Sequence, residues 1–275
     1  MILRLVLLLA LFPAVVLAQS AAPGDSALRP LTTADETRGW EAVGRIDLGG
    51  SAFCTGALIA PDLVLTAAHC LIQKDSGKPY DLGAIRFLAG WRNGRAVAYR
   101  GVRRAIAHPL YDYNASDKMV RVAYDLALLQ LDQSIRLPSV RPFSTAADPG
   151  TGDRLEVVSY ALDRSEAPSL QDSCEVLGRE PGVLILSCQV DFGSSGAPIF
   201  MAVGGKPEIV SVVSAKAEME SRVVALASAA EGPIAELRSA LETAEAEPQP
   251  APGVRRLVVG GNRSTGTGGA KFLRP

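Results

Sequence analysis

Apolar residues come in short runs along this chain and seldom recur at helical spacing. The runs at Ala42–Leu48, Phe53–Ile59, Leu63–Ala67, Ala84–Ala89, Val97–Ala107, Leu126–Leu131, Leu155–Ala161, Val183–Cys188, Pro198–Val203, Ile209–Val213 and Arg222–Ala227 are often β-branched. Gly, Pro, Asp and Asn punctuate them. Short strands divided by turns at this density predict an all-β architecture, and their number fits two small barrels split near Pro142–Asp153. One stretch departs from the pattern. From Glu231 the chain reads as an amphipathic helix: Pro233 suits the first turn, and Ile234, Leu237 and Leu241 share a face. That face is expected to dock on the second barrel.

The ends of the chain read differently. Met1–Ala18 holds one cation, Arg4, and then an apolar run from Leu5 that Pro13 interrupts. The run is short for a membrane span, and Val16 and Ala18 supply small residues ahead of a cleavage point. This predicts a secretory signal over 1–18, a secreted or periplasmic protein, and no stable membrane insertion once the signal is removed. Residues 19–38 lack periodicity and predict a flexible leader. The remainder divides into a first barrel at 39–146, a second at 147–230, a helix at 231–247 and a tail at 248–275. The tail carries five cations (Arg255, Arg256, Arg263, Lys271, Arg274) and no acid; its plain reading is a solvated segment.

Composition narrows the function. Lys plus Arg is 28 and Asp plus Glu is 29, a net charge of −1. That argues against a chain built to grip nucleic acid. The chain has 2 histidines, His69 and His108, so a multi-histidine metal site has little to work with. No metal and no cofactor are expected. The 4 cysteines allow three pairings. Local pairing of Cys54 with Cys70, and of Cys174 with Cys188, is expected because each pair brackets or joins neighbouring strands. Each closed loop would be worth about 3 kcal/mol in the chain-entropy picture. A zinc site from Cys54, His69 and Cys70 is the rival. It is disfavoured because adjacent residues point different ways and an exported chain meets an oxidising environment.

Three segments carry candidate chemistry: Leu63-Val-Leu-Thr-Ala-Ala-His69-Cys70, Tyr124-Asp125-Leu-Ala-Leu-Leu, and Asp191-Phe-Gly193-Ser-Ser195-Gly196-Ala-Pro198. A serine hydroxyl is a weak nucleophile at neutral pH. It needs a base to take its proton and a carboxylate to orient that base. His69 can be the base, and Asp125 opens an apolar strand where its carboxylate can be buried. Ser195 sits in a glycine-bounded turn that can aim backbone N–H groups at a carbonyl. His108, in Ala107-His-Pro-Leu, has no orienting neighbour and reads as a structural residue.

Together these segments, with Cys54-Thr-Gly-Ala-Leu-Ile, resemble the trypsin-like, chymotrypsin-fold serine peptidases. The resemblance covers about Val43 to Ala227 plus the helix. It implies two six-stranded antiparallel β-barrels with the active site between them, and a polypeptide substrate. It implies catalytic roles for His69, Asp125 and Ser195, an oxyanion hole at Gly193 and Ser195, and support of Asp125 by Ser214. A disulfide beside the histidine is common in the family and adds to the case for Cys54–Cys70.

The match also departs from the family. Members activated by cleavage pair a new amino terminus with an acid just before the nucleophile. Here that residue is Ser194, and no Ile-Val-Gly-Gly start is present. The resemblance places Gln189 at the base of the primary pocket and Ser214-Ala-Lys216 along its wall. An acidic base for Lys or Arg substrates is absent, and Val213 stands where a glutamyl-specific enzyme would have histidine. A partly closed pocket for small or polar side chains is expected, with Lys216 drawing an acidic side chain as the alternative. The expected function is a serine endopeptidase working through an acyl-enzyme. The rivals are a latent or inactive homologue acting as a protein-binding module, and an esterase.

Overall fold

The computed structural model describes residues 27–219 and 222–246. The expected signal, residues 19–26 of the leader and the basic tail lie outside the described residues. The elements begin with a two-residue strand, β1 (Arg29–Pro30). The first barrel follows: β2 (Val43–Leu48), β3 (Phe53–Ala60), β4 (Leu63–Thr66), β5 (Ile85–Ala89), β6 (Ala98–Ala107) and, after a short helix α1 (Lys118–Ala123), β7 (Ala127–Leu131). The strands close in the order β2-β3-β4-β7-β6-β5, every pairing antiparallel.

The second barrel uses β8 (Arg154–Ala161), β9 (Arg164–Glu180), β10 (Val183–Leu186), β11 (Pro198–Val203), β12 (Lys206–Met219) and β13 (Arg222–Ala229), and the final helix is α2 (Glu231–Ala246). Its order is β9-β10-β13-β12-β11-β8. The long β9 pairs with β10 through its C-terminal end and with β8 through the rest. The circuit of hydrogen bonds therefore returns on itself. Two disulfides, Cys54–Cys70 and Cys174–Cys188, join the locally paired cysteines. The first ties β3 to the turn after β4, and the second ties β9 to the segment after β10.

Cores fill both barrels. Phe87 and Leu65 are fully buried in the first, and Leu184, Ile199 and Val210 in the second, while Phe200 and Tyr160 of the second barrel's strands pack against the first-barrel core. Trp40, Phe143 and Phe200 form an aromatic cluster with centroids 4.7–6.0 Å apart. Such tilted pairs add to area burial by about 0.5–1.5 kcal/mol each.

Three features differ from the sequence expectation. The described part of the leader, residues 27–38, is not free: β1 pairs with Ser169 and Leu170 of β9, and Leu31 is fully buried. One apolar anchor and a backbone bond from Leu31 N–H to the Pro168 carbonyl (2.8 Å) hold it. Helix α2 packs on β6 and β7 of the first barrel rather than on the second. Its stripe of Ile234, Leu237 and Leu241 is buried there, and Glu236 lies 3.1 Å from His108. Finally, β9 has no counterpart among the expected strands, because its buried positions include Ser169 and Gln171.

Candidate active site

Each candidate residue is placed by a local device. His69 lies in a single 3-10 turn, Ala68–Leu71, just after β4. The next residue, Cys70, anchors that turn to β3 through its disulfide. Asp125 follows α1, whose first turn is capped by Asp117 accepting from Met119 N–H at 2.8 Å and Val120 N–H at 3.3 Å. A carboxylate at this position satisfies donors that a helix start leaves open. At the other end of α1, Ser228 of β13 donates to the Val122 carbonyl (2.6 Å). The second barrel thus holds the segment that presents Asp125.

Ser214 comes from β12. The register with β13 shifts between Val213 and Ala215, which leaves Ser214 as a bulge residue. A bulge re-aims a side chain out of the ladder. The Ser214 hydroxyl donates to Asp125 Oδ2 at 2.5 Å.

The carboxylate of Asp125 is 3% exposed. His69 donates its backbone N–H to Oδ1 at 2.8 Å, and its ring Nδ1 lies 2.6 Å from Oδ2. With Ser214, three partners satisfy a buried charge that would otherwise be costly. Burial disfavours the His69 imidazolium. The facing charge and hydrogen bond of Asp125 outweigh that, and its pKa is raised above the ordinary imidazole value.

The 191–197 turn is built around two glycines in the left-handed region, Gly193 (φ 97°) and Gly196 (φ 77°). A Cβ at Gly196 would collide with Thr66 Oγ1 and the Thr55 carbonyl. The glycine lets the turn lie against β3 and β4. Thr55 holds the turn twice, donating its hydroxyl to the Gly193 carbonyl (2.9 Å) and its N–H to the Ser195 carbonyl (2.8 Å). The N–H groups of Ser194, Gly196 and Ala197 are taken by Asp191, Val213 and Ser194 carbonyls. Among the described residues, those of Gly193 and Ser195 have no acceptor.

His69, Asp125, Gly193, Ser195, Ser214 and Lys216 line one cleft of ≈ 920 Å³. A pocket of this size suits several side chains of a ligand. Residues 32–228 match the family model described as Trypsin. The chain belongs to the trypsin family. It is a serine-type endopeptidase by family, and the trypsin-like proteases act on polypeptide substrates. It is 30% identical over 194 residues to a trypsin of Simulium vittatum, covering 58% of this chain and 69% of that relative. It is 32% identical over 133 residues to serine protease 56 of Homo sapiens, covering 43% of this chain but 20% of that longer protein. Among solved structures it resembles a Glu endopeptidase in complex with MPD, with a TM-score of 0.64 and 19% identity over 80% of this chain and 97% of that one. A thermostable serine protease, AL20, from an extremophilic microorganism gives 0.59 and 16%, over 74% and 97%. These two likenesses are of fold.

Not every expected residue of this trypsin-family chain reaches the cleft. Gln189, expected at the pocket base, is exposed and points elsewhere, while its N–H binds Gln171 (2.7 Å). Alternation explains this: Cys188 is buried in its disulfide and Val190 is buried and lines the cleft, so the residue between them faces out. Lys216 does line the cleft, with its Nζ 3.7 Å from Asp191 Oδ2. The zinc alternative loses its ligands, because the sulfurs of Cys54 and Cys70 are joined. His108 is buried, stacked on Tyr124 at 5.1 Å, away from the cleft lining.

Other cleft residues carry no signature in the sequence. Phe192 is 73% exposed beneath the Lys74 ammonium, 5.6 Å from its ring. Tyr111 has its phenol pKa raised, first by burial and then by the Asp125 charge. Neither belongs to a motif, and only the folded chain brings them to the mouth of the site.

Proposed function

We propose that this protein is an exported serine endopeptidase whose nucleophile is Ser195. His69 takes the Ser195 proton as Oγ attacks the scissile carbonyl, and then gives that proton to the leaving amine. Water repeats the cycle on the acyl-enzyme and regenerates the serine. Asp125 holds His69 in the tautomer with Nδ1 protonated and stabilises the imidazolium that forms. Ser214 supports Asp125. The N–H groups of Gly193 and Ser195 receive the oxyanion, each worth about 3 kcal/mol in comparable sites. The observation that carries this reading is the buried Asp125–His69 pair, braced by Ser214, in the same cleft as a serine set between two left-handed glycines.

Export to a secreted or periplasmic location rests on the 1–18 pattern and on two disulfides, which persist in oxidising compartments. For specificity, the pairing of Lys216 with Asp191 favours small or polar side chains. Lys118 and Arg121 also line the cleft, which supports acidic substrates as the second reading. Cleavage of a peptide library by the mature protein tests both. Turnover lost in Ser195→Ala and confined to small, polar or acidic residues is the expected result. Efficient cleavage after Arg, Lys or Phe would remove both specificity readings, and turnover unchanged in Ser195→Ala would remove the mechanism.

A further inference from the structure

Ser194 lies between Gly193 and Ser195 and is fully buried. Its hydroxyl is a junction. It lies 3.2 Å from the Tyr160 carbonyl, 3.3 Å from the Asp191 N–H that it accepts, and 3.2 Å from Arg164 Nη2. Arg164 comes from a different segment, the hairpin between β8 and β9, where it pairs across the turn with Ala161. Its Nη2 also donates to Ser159 Oγ at 3.0 Å, and its Nη1 donates to the Ser159 carbonyl. The same hairpin makes a second tie to the turn, from Leu162 N–H to the Phe192 carbonyl at 2.8 Å.

The Arg164 side chain is 14% exposed, and its Nε lies 4.0 Å from Asp163 Oδ1, on a side chain that is 79% exposed. Burial lowers its pKa, with Asp163 and Asp191 opposing the shift. A guanidinium held this way has neutral oxygens as its near partners, at a cost in desolvation. Its planar fork, however, can hold two strands of backbone in fixed relation, which a flexible ammonium does poorly. Here the fork spans Ser159 on β8 and Ser194 in the turn. Among the described residues, the N–H groups on either side of Ser194 are the ones left without an acceptor.

We propose that Arg164 is a positioning residue. Through Ser194 it sets the N–H groups of Gly193 and Ser195 toward the substrate carbonyl, so the chain carries in its own hairpin the cation that orders this turn. The inference rests on the reading of Ser195 as nucleophile. It adds that the oxyanion site depends on a residue that touches neither substrate nor reacting atoms.

The test compares Arg164→Met and Ser194→Ala with the wild-type protein on one peptide ester or amide. The readouts are kcat and KM separately, and the affinities of a peptide aldehyde and of the matching peptide alcohol. The aldehyde forms a hemiacetal whose oxygen needs the two N–H groups; the alcohol does not. Arg164→Met is expected to lower kcat about 10²- to 10³-fold, the range for loss of one oxyanion donor, with KM within about 3-fold. Aldehyde binding should weaken in parallel, alcohol binding should hold, and added methylguanidinium should restore part of kcat. Ser194→Ala is the smaller change and should lower kcat at least ~10-fold by the same rule, which keeps the test decisive if Arg164→Met does not fold. Folded variants with wild-type kcat, or a loss confined to KM, overturn the proposal. A wild-type protein without Ser195-dependent turnover removes the site reading and this proposal with it. A working wild type matched by both variants removes this proposal alone.

Discussion

Asp125 has the most exacting position in the site. Its buried carboxylate meets two donors from His69 and one from Ser214, and no water-filled route is needed to satisfy it. Asp125→Asn keeps the size and loses the charge. We expect kcat to fall about 10⁴-fold, the scale known for a triad left in the wrong tautomer. The pH profile carries a further signature. In the proposed mechanism His69 must be neutral to act as base, and its pKa is raised. The acid limb of kcat/KM should therefore lie above the ordinary imidazole value and move down in Asp125→Asn. The same shift has a stability sign. A raised folded-state pKa adds stability that is full below the unfolded pKa and is lost as pH rises through the folded one. Urea unfolding should show Asp125→Asn more destabilising at pH ~5 than at pH ~9; equal losses would contradict the pairing. Gly196 makes the complementary point about backbone. With φ of 77° and Thr66 and Thr55 against its α-carbon, Gly196→Ala combines left-handed strain with a collision. It should cost about 3 kcal/mol, and fold with loss of activity or not at all.

Elements position these residues by short, local devices. The Cys54–Cys70 link closes a separation of 16 residues between β3 and the turn holding His69. Replacing both cysteines with serine should cost about 3 kcal/mol, seen as a fall of roughly 6–12 °C in Tm for a chain of this size. A Tm unchanged in the oxidised preparation would show that the strands alone hold the turn. Eleven of the strands, α2, both cysteine pairs and the three segments that meet at the candidate site were legible because each is written locally: an apolar run, a helical stripe, a motif. Other features were not. Helix α1 is a turn and a half capped by Asp117, too short for periodicity to register. Strand β9 buries Ser169 and Gln171 between β1 and β8, so its pattern reads as a polar loop. Gln189 follows a position inferred from the resemblance, whereas the alternation after the buried Cys188 turns it outward. Arg164 had no local mark at all, because its partners Ser159 and Ser194 are brought to it by the hairpin and by the turn.

At the scale of the molecule, the site belongs to neither barrel alone. The first supplies His69 and Asp125; the second supplies Ser195, Ser214 and the Ser228 bond that grips the end of α1. Thr55 reaches from β3 to Gly193 and Ser195, and β1 and α2 bind the chain's described ends back onto the barrels. Each half thus completes the other's geometry, and a charge of −1 leaves selectivity to the few side chains that line the cleft. The central claim is that this shared geometry makes Ser195 a nucleophile. Its most direct measurement is reaction of the folded mature protein with a fluorophosphonate, followed by intact mass and mapping of the adduct. One phosphonyl group per chain on Ser195, absent in Ser195→Ala and strongly slowed in Asp125→Asn, is the predicted result. A folded protein that takes no adduct, or takes it equally in Ser195→Ala, would contradict the claim.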